Sequence, residues 1–143
     1  MIQLLPMCKN DIDRVMQLDR KSFVQWPRHY YIKTVYSSGF YGILAQTDNQ
    51  CIGNIMFRIN NRCLYIDKII VSKEYRYQGV GGKLLKKAIR MGKRKNVDQA
   101  LLTVFYNNIY AMDFYSKHGF LIESIQWNHY LDGEHGVRMY RNV

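Results

Sequence analysis

The sequence predicts a single α/β domain over residues 1–143, with a mixed central sheet of about seven strands and flanking helices in the order βααβββαβαββ. Three observations carry this. Short β-branched segments alternate with segments of helical periodicity; turn-forming residue pairs string three strands into a meander; and a glycine-rich junction leads from a strand into a helix. Residues 2–5 open as a short strand. Over 11–21, Ile12, Val15, Met16 and Leu18 recur among polar residues as on an amphipathic helix. Pro27 suits the first turn of a second helix running to residue 36, where its missing N–H costs nothing. Residues 42–46, 51–59 and 62–71 form the meander, turning at Asp48-Asn49 and at Asn60-Asn61, residues that tolerate positive φ. Val80, Leu84, Leu85, Ala88 and Ile89 make one helical stripe, and 99–104 is a strand. Asn108 caps a further helix that ends at Gly119. Strands 120–127 and 137–141, joined across Asp132-Gly133, complete the sheet.

Composition narrows the class. Hydrophobic residues make up 48% and charged residues 22%, the balance of an ordinary globular protein. No apolar run approaches the roughly 20 residues that cross a bilayer, and residues 1–6 do not read as a signal peptide, so a cytoplasmic location without membrane association is expected. The 3 cysteines (Cys8, Cys51, Cys63) have no metal-binding or disulfide spacing and read as small buried or half-buried side chains; no metal is expected. A formal charge of +10 favours anionic partners. Lys83, Lys86, Lys87, Arg90 and Arg94 recur at helical spacing, either as a solvated face or as a basic surface for a ribosome.

The segment Arg76-Tyr77-Gln78-Gly79-Val80-Gly81 lies between a β-branched strand and a helix. Glycines there let backbone N–H groups approach a diphosphate, the helix N-terminus adds unpaired donors, and Arg76 can add charge-assisted bonds. The pattern lacks the first glycine of the dinucleotide fingerprint and the Gly-Lys-Ser/Thr of the Walker loop. By itself it is equally a tight strand-to-helix turn.

Ile69-x-Val71-x-x-Glu74-Tyr75-Arg76-x-x-Gly79-Val80-Gly81-x-x-Leu84-Leu85, followed by Asn108-x-x-Ala111-x-x-Phe114-Tyr115-x-x-x-Gly119-Phe120, resembles the two cofactor motifs of the GNAT acetyltransferase superfamily. Within it the chain is most similar to the group acting on a ribosomal-protein N-terminal alanine. Ser22-Phe23-x-x-Trp26-Pro27 and His129-Tyr130-Leu131-Asp132-Gly133-Glu134 are similar to that group's acceptor-side loop and hairpin. The resemblance implies acetyl-coenzyme A as donor. Ile69, Ile70 and Val71 would pair with its pantetheine arm, and Arg76, Tyr77, Gln78, Gly79, Val80, Gly81 and Gly82 would hold the pyrophosphate. Asn108 would lie near the sulfur, and Tyr115 would protonate the departing thiolate.

Trp26 and Tyr31, in an aromatic stretch with Phe23, Tyr30, Tyr36 and Tyr41, are expected to wall the acceptor pocket, with His129 and Tyr130 at its entrance. The group's carboxylate base is replaced here by Thr103, which cannot serve as an ordinary base near neutral pH. Asp67, sharing strand parity with Ile69 and Val71, is the leading replacement, ahead of Glu123, His118 and His129. The acceptor expected is a protein or peptide N-terminus, handled by a monomer or homodimer. A small amine (polyamine or aminoglycoside), a lysine side chain and a non-catalytic acetyl-coenzyme A-binding module are the alternatives.

Overall fold

The computed structural model describes residues 1–20, 22, 25–130 and 132–143. Phe23 of the aromatic stretch and Leu131 of the hairpin lie outside the described residues. The chain runs β1 (Gln3–Pro6), α1 (Ile12–Asp19), α2 (Arg28–Val35), β2 (Phe40–Thr47), β3 (Gln50–Asn60), β4 (Cys63–Val71), α3 (Val80–Arg94), β5 (Gln99–Phe105), α4 (Ile109–Lys117), β6 (Leu121–Gln126) and β7 (Gly136–Asn142). Single 3-10 turns precede α1 and follow β4. The predicted element order is the observed one.

All seven strands form one sheet in the order β1-β2-β3-β4-β5-β7-β6. Every neighbouring pair is antiparallel except β4 and β5. A parallel pair needs a crossover, and α3 supplies it, packing on β2, β3 and β4. Its stripe of Val80, Leu84, Leu85, Ala88 and Ile89 is buried against Ile55, Phe57, Leu64 and Ile66, with Tyr115 and Phe120 joining from the α4 side. On the opposite face α1 and α2 bury Val15, Tyr31 and Val35 against Leu44, Met56 and Ile70. Thus the α3 stripe and Tyr115 lie on the face opposite Trp26 and Tyr31, while Tyr41 of the aromatic stretch packs on the α3 side against Phe57.

Three local expectations change. The second turn of the meander is Asn61-Arg62, at φ 50° and 66°, one residue beyond Asn60-Asn61. Asn60 stays in register opposite Cys63, its amide donates to Ser38 O at 3.2 Å, and Arg62 is held by Asp98 at 2.9 Å. Pro27 caps α2 from outside, with extended φ and ψ, instead of standing in its first turn. Cys51 and Cys63 are half-buried and buried, but Cys8 is exposed, its thiol donating to Asp11 Oδ2 at 3.2 Å.

Leu84 is wholly buried between α3 and the sheet. Replacing it with Ala leaves a cavity that the crossover cannot collapse around, so a loss of about 2–5 kcal/mol is expected in urea unfolding at pH 7.

Candidate active site at the fork of the sheet

Strands β4 and β5 exchange hydrogen bonds only from Cys63–Gln99 to Ile66–Leu102. Beyond that point β4 continues to Val71 paired with β3 alone, while Thr103–Phe105 of β5 pair only with β7. The sheet therefore forks, and the main chain of β4 beyond Ile66 has no strand on its β5 side. Ile69, Ile70 and Val71 lie on this unpaired edge, where an extended ligand can add as a strand does. A bulge marks the fork: Met56 faces Lys68 and Phe57 faces Ile66, leaving Asp67 as the extra residue.

On the α3 side, the junction predicted from glycines takes a specific shape. Tyr77 (φ 62°) and Gly79 (φ 83°) adopt left-handed conformations, and Gly79 is the N-cap of α3. The first bond inside the helix runs from Lys83 N to Gly79 O at 3.0 Å. The N–H groups of Gly79, Val80, Gly81 and Gly82 therefore have no intrahelical acceptor, and the N-cap glycine has no side chain to cap them. Nothing lies within 4 Å of where a Gly79 Cβ would stand, so this end of the helix is open to an anion. Arg76 donates from Nε to Val71 O at 3.1 Å, tying the loop to the strand while its terminal nitrogens stay available. Val80 is 1% exposed, so only its backbone can serve a ligand. A Cβ on Gly81 would stand 3.2 Å from the Phe114 ring, and one on Gly82 3.0 Å from His118 Nε2. These two glycines thus also let α4 approach α3.

On α4, Asn108 is half-buried and its Oδ1 accepts from Ala111 N at 3.2 Å, leaving the Nδ2 donors for other use. Tyr115 packs edge-on against Phe114 and Phe120, and its hydroxyl makes no hydrogen bond among the described residues. Burial pushes its phenol well above the ordinary value, so it remains protonated across the neutral range. His118 Nδ1 lies 2.9 Å from Phe114 O, which makes His118 part of the α4 terminus.

The α1–α2 side holds two ion pairs, Arg58 with Asp67 and Lys68 with Asp19. Asp67 is gripped by Arg58 through both oxygens at 2.9–3.1 Å. Arg58 stands opposite Tyr65 across β3 and β4, and its guanidinium lies 5.4 Å from that ring. The bulge thus turns Asp67 toward Arg58 and breaks the parity with Ile69 and Val71 that simple alternation gives. Burial raises the Asp67 carboxyl, partly offset by Arg58. Arg58, at the more exposed end of the pair, is itself held more firmly protonated by Asp67.

Tyr31 requires a correction. It is fully buried and its hydroxyl donates to Asp19 Oδ2 at 2.6 Å, so it has no surface to offer an acceptor. Trp26 remains half-buried, its ring 5.4 Å from that of Tyr31. At the hairpin, Tyr130 stacks on Phe105 at 3.9 Å and meets His129 edge-on at 4.8 Å. A Cβ at Gly136 would stand 2.7 Å from Thr103 Cγ2 and 3.4 Å from His129 Cβ, so the hairpin lies close over the end of β5. Glu123 is drawn off to Arg138 at 3.4 Å.

Sequence reasoning missed Asp19 and Lys68. Asp19 is 2% exposed and 2.9 Å from the Lys68 ammonium, which is itself nearly covered. The signal was present: Ile12, Val15 and Asp19 fall on one helical stripe, so a carboxylate occupies an apolar position. Burial opposes ionisation of Asp19, but bonds from Ser22 Oγ, Tyr31 Oη, Trp26 N and Lys68 together hold its carboxyl below the usual range. Lys68 is lowered instead, because burial costs the ammonium more than its partner carboxylate returns. Among the described residues no group of three or more His, Cys, Asp or Glu is placed to hold a metal, and no helix is long and apolar enough to cross a membrane.

The model of the acetyltransferase (GNAT) family matches residues 12–120. The chain belongs to that family. This GNAT chain is 38% identical over 95 residues to streptothricin acetyltransferase A of Bacillus subtilis, an alignment covering 66% of the chain but only 55% of that protein. It is 27% identical to the N-alpha-acetyltransferase of Saccharolobus solfataricus, covering 92% of the chain and 87% of the relative. In fold it is similar to the ribosomal-protein-S18-alanine N-acetyltransferase of Escherichia coli, with a TM-score of 0.89, 18% identity and coverage of 100% and 94%. The PaiA N-acetyltransferase of Thermoplasma acidophilum, solved with coenzyme A, has the same fold at a TM-score of 0.82 and 18% identity, covering 100% and 99% of the two chains.

The Asp19 environment sets a pH dependence. Its folded carboxyl lies below the unfolded value of about 3.8, so the stability it contributes is fully present above that value and is lost as pH falls through the folded one. Asp19→Asn, which takes the carboxylate away from the buried Lys68 ammonium, is expected to lower stability by about 3–5 kcal/mol at pH 7. In urea titrations the gap from wild type should hold down to about pH 4 and narrow below it; a gap that widens on acidification contradicts the assignment.

Proposed function

We propose that this acetyltransferase moves the acetyl group of acetyl-coenzyme A onto the α-amino group of a protein or peptide, by direct attack within a ternary complex. The fork carries this reading. It opens the sheet between an anion-ready helix end on one face and a set of aromatic and charged side chains on the other, so donor and acceptor can meet between Asp67 and Thr103.

Bound acetyl-coenzyme A supplies an acetyl group activated as a thioester. The free N–H groups of Gly79 to Gly82, with the backbone of Tyr77 and Gln78 and the Arg76 guanidinium, hold its pyrophosphate. The open edge of Ile69, Ile70 and Val71 takes the pantetheine arm, and the Asn108 amide contacts it near the sulfur. As the amine lone pair forms the C–N bond and the C–S bond breaks, Tyr115 donates its phenolic proton to the departing sulfur, and its high pKa ensures that the proton is there to give. The amine proton leaves through water toward Asp67, whose raised pKa makes it a better acceptor than an ordinary exposed carboxylate. An α-amino group, with a pKa of about 8, already supplies neutral amine near neutral pH, whereas a lysine at about 10.4 supplies far less. Trp26, His129 and Tyr130 wall the acceptor's approach.

A small cationic amine is the second reading, favoured by the likeness to the streptothricin enzyme. Against it, two carboxylates on the α1–α2 side are already neutralised, Asp67 by Arg58 and Asp19 by Lys68. A polycation would find no spare negative charge in that pair. The net charge of +10 and the exposed Lys83, Lys86, Arg90 and Arg94 of α3 fit docking on the ribosome, where N-termini emerge. The chain is expected to work in the cytoplasm as one domain over residues 1–143, as a monomer or homodimer.

Tyr115→Phe is expected to lower kcat about 100-fold while leaving calorimetric affinity for acetyl-coenzyme A within about threefold, since it removes only the transferable proton. Unchanged turnover removes Tyr115 from the mechanism. To identify the acceptor, acetyl-coenzyme A consumption should be measured with peptides of differing N-termini beside polyamines, aminoglycosides and N-terminally blocked lysine peptides. Free N-termini should be consumed and blocked ones spared; consumption confined to small amines sinks the peptide reading, and cofactor binding without any turnover sinks the catalytic one.

A further inference from the structure

Donors from separate segments converge on one buried carboxylate. Asp19, the last residue of α1, accepts from Ser22 Oγ and from Trp26 N at 2.8 Å in the α1–α2 connection. It also accepts from Tyr31 Oη at 2.6 Å on α2 and from Lys68 Nζ at 2.9 Å on β4. A carboxylate is disfavoured at a helix C-terminus by the helix dipole, and an apolar residue at this stripe position would pack without desolvating a charge. Buried ion pairs are weak contributors to net stability, and their best-attested use is to specify one geometry over another.

The geometry specified here is local to the site. Lys68 follows the bulge residue Asp67 directly, so a shift of one backbone unit carries the other. The Lys68 ammonium also lies 4.9 Å from the centroid of the Trp26 ring, within cation–π range. Trp26 is thereby held twice: by its N–H on Asp19, and by its ring against Lys68.

We propose that the Asp19–Lys68 pair is a latch that positions Trp26 beside the Asp67 bulge, and so sets acceptor recognition apart from the pyrophosphate loop. This rests on the acceptor side assigned above. Both members are positioning residues. Loosening the latch should raise the acceptor KM and leave the pyrophosphate loop at the start of α3 as it was.

The test uses Asp19→Asn and, because Lys68→Met alone takes the counter-ion from a buried carboxylate, the double variant Asp19→Asn/Lys68→Met, which removes both charges together. Each is made also in a Trp127→Phe background. Only 2 tryptophans are present, so this leaves Trp26 as the sole indole reporter. Expected are an acceptor KM at least tenfold higher, kcat and calorimetric acetyl-coenzyme A affinity within threefold of wild type, and a red shift of Trp26 emission. Lys68→Arg, which keeps the charge, should return KM to within threefold of wild type. An acceptor KM within twofold of wild type in a variant with native circular dichroism overturns the proposal. So does a parallel loss of donor affinity, which marks general loosening, or an unshifted Trp26 emission. Should wild type accept only small amines, the peptide assignment fails while the latch is scored with that amine's KM.

Discussion

The parting of β4 from β5 after Ile66 and Leu102 is the constraint on which the rest of the molecule depends. A sheet gains by pairing every strand edge, and buried main-chain groups left unpaired are costly. This sheet gives up that pairing in its middle and stays intact because each arm of the fork is held by its other neighbour: β3 holds β4 as far as Val71, and β7 holds β5 as far as Phe105. The long antiparallel partners are thus what make the opening affordable. The bulge at Asp67 stands where the opening begins, and the crossover helix α3 joins the two strands that part there.

The two faces then divide the electrostatic work. The α3 face offers neutral donors, backbone N–H groups at a helix start, which attract an anion without presenting a titrating group. The α1–α2 face offers charges that are already paired, Arg58 with Asp67 and Lys68 with Asp19. Pairing cancels these four charges, although the chain as a whole carries +10. The excess charge is spread over surfaces such as the outer side of α3, where Lys83, Lys86, Arg90 and Arg94 are exposed. The sheet between the two faces is open beyond Ile66 and Leu102.

The glycines of the junction show one sequence feature answering two demands. Gly79 is required by its φ of 83° and faces open space. Gly81 and Gly82 have ordinary helical positions and owe their identity at least as much to the approach of Phe114 and His118. Packing of α4 against this helix start is what brings Tyr115 and Asn108 into the same half of the molecule as the loop. A motif read as a phosphate cradle is thus also a helix-packing seam.

The sequence by itself determined the element order, the meander, the start and end of α4 and the strand-to-helix junction, because each rests on local rules: alternation, helical periodicity, capping and the positive φ of glycine and asparagine. It also carried two motifs whose joint spacing pointed to the GNAT family. Only the tertiary structure decided what lies across the fork. Alternation cannot foresee the bulge that turns Asp67 to Arg58, since an inserted residue changes facing without changing composition. Nor could an aromatic-rich stretch separate Trp26, which keeps a surface, from Tyr31, which is sealed in against Asp19. The Asp19–Lys68 pair spans 49 residues of sequence, by subtraction of their numbers, and no periodic pattern connects such distant charges. Only folding α1 onto β4 brings them within 2.9 Å.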